Sequence, residues 1–194
     1  MSAPEVPTLV PSSANLELCA GAADIVELAC RRGREEALRA VATRRGQRLP
    51  SFGRASASDG RLALCVRPGR WLVLQPHHAG GSGVSGWAVA CGESGTAVDL
   101  SAGLSLLLLR GAMAVELLDR HCRLDLRREH FGVDSAAASV LAQVPIIIVA
   151  RARGLLLVTP FSTSRHFCEC LVAAGRPFGL GEPRGVTAEE LLGD

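Results

Sequence analysis

The sequence predicts an α+β fold in which two similar β-α-β-β halves form one domain. Three observations carry that expectation. Stretches 25–75 and 104–159 each run strand, basic-glycine turn, helix and hairpin-like strand pair, with Arg31-Arg32-Gly33 and Arg110-Gly111 at equivalent places. The apolar spacing alternates between the twofold period of strands and the wider period of helices. A chain of 194 residues, 48% hydrophobic and 21% charged, is also long and apolar enough to build a core rather than stay disordered.

Residues 1–14, rich in Pro and Ser, read as an extended arm ahead of a domain over 15–176. The run 25–30, apolar around Glu27, predicts a strand. Ala37, Leu38, Val41 and Ala42 recur at helical spacing over 35–45, and Gly46 closes that helix. A polar loop is expected over 51–60. Residues 61–66 and 70–75 form two strands around Pro68-Gly69. The Gly-rich segment 77–95 reads as a loop or a degraded short helix around 87–91. Strands follow at 96–100 and 104–110, the second apolar on both faces and therefore central. Residues 112–121 predict an amphipathic helix, and 140–149 and 155–159 a strand pair around 151–154. A last helix spans 162–174, with Ser162 or Thr163 as N-cap and Gly175 as its stop. The tail, 177–194, is expected at the periphery.

Composition narrows the chemistry. All 21 cationic residues are Arg, and Lys and Tyr are both absent. That removes Schiff-base and Lys-nucleophile chemistry, a phosphate-loop Lys and Tyr general acids. A formal charge of +2 does not supply the field of a nucleic-acid protein. The N-terminus lacks the charged and apolar regions of a secretory signal. The apolar runs 104–109 and 144–150 fall far short of the ~20 residues that span a bilayer. Seven Cys without framework spacing fit a reducing cytoplasm better than a disulfide scaffold.

Four constellations of chemistry-bearing residue types stand out. Gly81-Ser82-Gly83-Val84-Ser85-Gly86 fits the dinucleotide fingerprint, but too few residues precede Gly92 for a crossover helix, so flexible loop is the better reading. In His166-x-Cys168-x-Cys170 the outer two residues share a helix face while Cys168 points away, and His77-His78 has no carboxylate nearby in sequence, so metal binding is disfavoured. Asp119-Arg120-His121-Cys122 places nucleophile-like types side by side, yet Cys122 fits a core position. The Arg clusters 31, 32, 34 and 44, 45, 48 lie beside Glu35 and Glu36 and read as solvated surface or protein interface. No catalytic, cofactor-binding or metal-binding residue is assigned to the chain. Of the two Trp, Trp71 is expected in its own core, and Trp87 is the better interface anchor.

Several segments together resemble the gamma subunit of heterotetrameric sarcosine oxidase. They are Val26-Glu27-Leu28-Ala29-Cys30-Arg31-Arg32-Gly33 leading into Glu36-Ala37-Leu38, then Leu49-Pro50, then Arg67-Pro68-Gly69-Arg70-Trp71-Leu72-Val73-Leu74. Val98-Asp99-Leu100-Ser101 and Leu107-Leu108-Leu109-Arg110-Gly111 continue the series. The sharpest is Leu118-Asp119-Arg120-His121-Cys122-Arg123-Leu124-Asp125-Leu126 with Phe131 and Ser139 to Ala142, which resembles L-x-x-x-C-x-x-D-L, F and T-x-L-A. Departures from the family pattern occur at Gly69 and Arg70, at Ala102, at Gly132-Val133-Asp134 and over Thr159-Pro160-Phe161-Ser162.

The resemblance implies a fold like the folate-binding domain of the glycine-cleavage aminomethyltransferase. It implies a small structural subunit of a bacterial flavin-dependent complex that demethylates a secondary N-methyl amine such as sarcosine, with folate taking the one-carbon unit. FAD, FMN, NAD and tetrahydrofolate would then sit in partner chains, the large alpha and the beta flavoprotein subunits. A small delta subunit is a further partner under this reading, with neither nucleic acid nor membrane among the partners. Two alternatives stay open: a gamma-like subunit of an N-methylglutamate dehydrogenase, and an autonomous folate-binding aminomethyltransferase-like protein. The K-G-C-Y-x-G-Q motif of folate-dependent tRNA-modification relatives cannot occur in a chain without Lys or Tyr.

Overall fold

The computed structural model describes residues 16–77 and 83–193; the arm expected over 1–14 lies outside the described residues. In chain order the elements are β1 (Glu17–Gly21), β2 (Asp24–Cys30), α1 (Glu35–Arg44), β3 (Arg54–Ser58), β4 (Arg61–Arg67), β5 (Arg70–Gln75) and α2 (Val84–Cys91). They continue with β6 (Gly95–Asp99), β7 (Leu104–Arg110), α3 (Ala114–Asp119), β8 (Ala136–Leu141), β9 (Val144–Arg151), β10 (Gly154–Pro160), α4 (Phe161–Gly175), β11 (Arg184–Gly185) and α5 (Ala188–Leu192). The α+β class read from the sequence is the one observed.

The strands form two sheets, a six-stranded one ordered β11-β1-β7-β10-β9-β8 and a five-stranded one ordered β3-β4-β5-β2-β6. The runs β2-β5-β4-β3 and β7-β10-β9-β8 are topologically the same, so the duplication read from the sequence is present in the chain path. Its unit is longer than expected, because a strand precedes each half and joins the other half's sheet. β1, ahead of β2, pairs antiparallel with β7 from Glu17↔Arg110 to Gly21↔Leu106. β6, ahead of β7, pairs antiparallel with β2 from Val26↔Asp99 to Cys30↔Gly95. The exchange is reciprocal.

Side-chain alternation sends one set of residues between the sheets and the other outward. Along β7, Leu106 and Leu108 face the inter-sheet core and Leu107 and Leu109 the outer layer, which accounts for its unbroken apolar run. Ile25, Leu62, Leu64, Leu74, Val149 and Leu156 fill the space between the sheets. Leu38 and Ala42 of α1, with Trp87 and Cys91 of α2, cover the five-stranded sheet. Leu117 and Leu118 of α3, with Phe167 and Leu171 of α4, cover the six-stranded one. The result is four layers, helices outside and sheets within.

Several expectations are corrected. The loop expected over 51–60 contains β3, an edge strand whose Arg-Ala-Ser-Ala-Ser sequence carries too little apolar area to announce itself. The strand expected over 140–149 is the junction of two, β8 and β9, reversing at Ala142 and Gln143 with φ of 50° and 63°. Both are left-handed positions occupied here by residues without the usual Gly or Asn signal. Neither Ser162 nor Thr163 caps α4. Pro160 precedes its first turn, and the Thr163 hydroxyl donates to the Pro160 carbonyl at 3.3 Å, inside the helix. The tail returns to the core: β11 lies parallel to β1, the Thr187 side chain caps α5, and Leu191 and Leu192 are buried between the sheets.

Candidate functional site

The two sheets meet along one edge, where the Ala55 amide donates to the Asp134 carbonyl at 2.7 Å and the Ala136 amide to the Gly53 carbonyl at 2.9 Å. At the end holding the β4–β5 and β8–β9 turns they part, leaving a cleft of about 290 Å³. Its walls are largely apolar, with Leu72 and Leu100 on one side and Leu104, Ile147, Val158 and Pro160 on the other. Alternation explains the one carboxylate there. Ile25 faces the inter-sheet core, so Glu27, two residues on, faces the same way where the layers have opened. Glu27 pairs with Arg70 at 2.6 Å, both partly exposed, so the pair orients two side chains at the mouth more than it stabilises the fold. Arg67 also lines the cleft and forms no ion pair among the described residues.

A second cleft of about 320 Å³ lies beside α3, lined by Phe131, Val133, Arg128, Arg151 and Arg153 among others. Arg151 among them, its guanidinium 2% exposed, donates to Oδ1 of the partly exposed Asp134 at 2.6 Å. That contact ties β9 to the strap that joins the two sheets.

A third charged cluster pins the tail. Arg184 donates to Glu17 and to Glu190, each at 2.6 Å, and Arg110 reaches Glu190 at 3.0 Å. Arg184 holds both Glu17 and Glu190 below the ordinary carboxylate value, chiefly through these hydrogen bonds.

The residues singled out in the sequence do not converge. Gly81 and Ser82 lie outside the described residues. Val84, Ser85 and Gly86 form the first turn of α2 rather than a loop. α2 does not connect neighbouring parallel strands, because β2 lies between β5 and β6. His166 and Cys170 share an exposed face of α4, with Nε2 to Sγ at 3.6 Å, while Cys168 packs against the outer core. His78 lies outside the described residues. His77 does have a carboxylate, the buried Asp24, at 2.5 Å and 53 residues away in sequence. Cys122 is buried with its Sγ 3.2 Å from Ser139 Oγ, and its neighbour His121 is exposed. Among the described residues no three His, Cys, Asp or Glu side chains are placed to hold a metal ion.

Trp87 is not a surface anchor. It is 1% exposed, and Arg45 stacks over its ring at 4.7 Å. Trp71 is in its own core as expected, its indole donating to the Pro50 carbonyl at 2.8 Å under Arg39 at 5.1 Å. Two cations of the α1 region therefore shield aromatic rings, while Arg31, Arg32 and Arg34 remain exposed. The cleft residues Glu27, Arg67 and Arg70 went unassigned in the sequence. One signal was available, a single carboxylate inside an otherwise apolar strand.

No protein-family model matches the chain. It is 38% identical over 96 residues to a sarcosine oxidase subunit gamma from Arthrobacter sp., a match covering 48% of this chain and 46% of the relative. It is 33% identical over 96 residues to the subunit of the same name from Corynebacterium sp. strain P-1, again over 48% and 46% of the two chains. The match thus spans about half the length of each curated relative. Among solved structures it is similar to a chain of the heterotetrameric sarcosine oxidase from Corynebacterium sp. U-96 in complex with pyrrole 2-carboxylate. That superposition has a TM-score of 0.76 at 25% identity and covers 88% of both chains. The glycine cleavage system aminomethyltransferase T from Bartonella henselae shares the fold, with a TM-score of 0.61 at 15% identity over 91% of this chain and 50% of that one. No described helix is long and apolar enough to cross a membrane.

Proposed function

We propose that the chain is the small, non-catalytic gamma-like subunit of a heterotetrameric flavin-dependent complex of the sarcosine oxidase type. The complex oxidatively demethylates a secondary N-methyl amine such as sarcosine, and folate takes the one-carbon unit. The observation that carries this reading is the shared fold over 88% of both chains with a chain of such a heterotetramer. The 96-residue match at 38% identity to a gamma subunit supports it. The partners are the large alpha and the beta flavoprotein subunits, with a small delta subunit completing the tetramer. FAD, FMN, NAD and tetrahydrofolate belong to those chains. This chain contributes binding surface: an apolar cleft whose mouth carries Arg67 and the Glu27–Arg70 pair.

Co-expression with the host's flavoprotein subunits tests the reading. A tag on this chain is expected to retain a yellow, sarcosine-oxidising complex of fixed stoichiometry. A stable flavin-free monomer that never retains those subunits would sink the subunit role. Saturable binding of labelled tetrahydrofolate by the isolated chain would favour the autonomous folate-binding alternative.

A further inference from the structure

We infer that the open end of the sandwich is a docking groove for an extended segment of a partner subunit whose apolar side chains are flanked by carboxylates. The inference rests on the subunit reading above.

Three of the exposed large apolar residues stand at this end. Val98 lies directly across from Glu27 on β6 and is 49% exposed, and Val140 lies across from Pro145 on β8 and is 57% exposed. Phe161, 64% exposed, follows Pro160 of the cleft wall. Directly paired strand residues project from the same face, so Val98 and Val140 extend the apolar walls into solvent from opposite sheets. An apolar opening with an apolar rim is a surface that water leaves favourably.

The lip is cationic. Arg67 lines the opening, and Arg31 and Arg32 follow β2 just past the Cys30–Gly69 hydrogen bond that ties down the β4–β5 turn. None of the three forms an ion pair among the described residues, whereas the nearby Glu27 is already engaged by Arg70. An occupant bearing carboxylates complements that field and a basic one is repelled. Size argues for side chains rather than a cofactor. A volume of about 290 Å³ sits at the floor of the roughly 300–1,000 Å³ range of ligand pockets, so it takes one or two inserted side chains.

The test uses the co-expressed complex with variants at exposed positions, V140D and R67E, with R67K as the conservative partner. V89D, on the exposed side of α2, is the control. V140D and R67E are expected to weaken retention of the flavoprotein subunits about tenfold or more, with R67K near wild type, V89D unchanged and all melting like wild type. Assembly of the wild-type chain that is indifferent to V140D and R67E overturns the groove and leaves the subunit reading standing. Failure of the wild-type chain to assemble at all sinks both. A homodimer of the isolated chain that V140D dissolves, with the complex unaffected, assigns the face to a second copy and overturns the inference.

Discussion

The carboxylate of Glu17 and the guanidinium of Arg184 meet at 2.6 Å although 167 positions separate them in the chain. Arg184 turns its other nitrogens to Glu190, and the Arg110 guanidinium reaches the same carboxylate, so β1, β7, β11 and α5 share one charge cluster. Both glutamates titrate below their ordinary value of 4.5 because the charged form accepts these hydrogen bonds. The unfolded chain therefore binds more protons than the native one in that window. The cluster's stabilisation is full above pH 4.5 and disappears as pH falls through the depressed native values. The hydrogen-exchange protection of residues 184–193, taken relative to the intrinsic rate at each pH, is expected to fall on acidification before that of the central strands. A uniform loss of protection across the chain would argue against the cluster as the tail's anchor.

Leu191 should be as costly to truncate as any strand residue. It is fully buried between the sheets although it is the fourth residue from the end of the sequence. L191A is expected to destabilise by about 2–5 kcal/mol in urea unfolding, whereas the nearby surface change E189Q stays within about 0.5 kcal/mol.

Gly154 is required twice over. Its φ is 152°, and a Cβ there would lie 2.3 Å from the Leu109 carbonyl oxygen on the neighbouring strand. G154A is expected to lower stability by about 1–3 kcal/mol. G181A, with nothing within 4 Å of an added Cβ, should unfold with an unchanged midpoint.

Burial pushes the Cys19, Cys65 and Cys91 thiols above their ordinary value of 9.0. Their contribution to stability is intact below pH 9.0 and is lost as pH rises through the elevated native values, since the unfolded thiols ionise first. Mass-spectrometric mapping after alkylation at neutral pH should find Cys30 and Cys170 modified first. Labelling of Cys19, Cys65 and Cys91 at the same rate in native buffer would contradict their burial.

The parts of the fold legible in the sequence were those whose burial imposes an apolar pattern. The run 104–110 announced a central strand because both its faces are covered, and residues 35–45 announced α1 because Leu38, Val41 and Ala42 bury one face at helical spacing. Strand β3 was invisible because an edge needs little apolar surface, and β1 because Glu17, Cys19 and Gly21 break the alternation. The hairpin at Ala142 and Gln143 was missed because its turn residues advertise nothing. Trp87 misled for a related reason. It lies in a Gly-rich stretch, and only the return of β6 to β2 shows that α2 has a sheet to cover. The cleft was not legible at all, since Glu27 and Arg67 of the first half meet the six-stranded wall only when the two sheets pack face to face.

The reciprocal exchange of β1 and β6 dictates what a ribosome can release in folded form. β1 leaves the exit tunnel some 85 residues before its partner β7, and the first half alone offers β2 no β6 to pair with. Each half finishes its sheet only with a piece of the other, so a break between residues 75 and 95 leaves the first polypeptide without β6 and the second without β1.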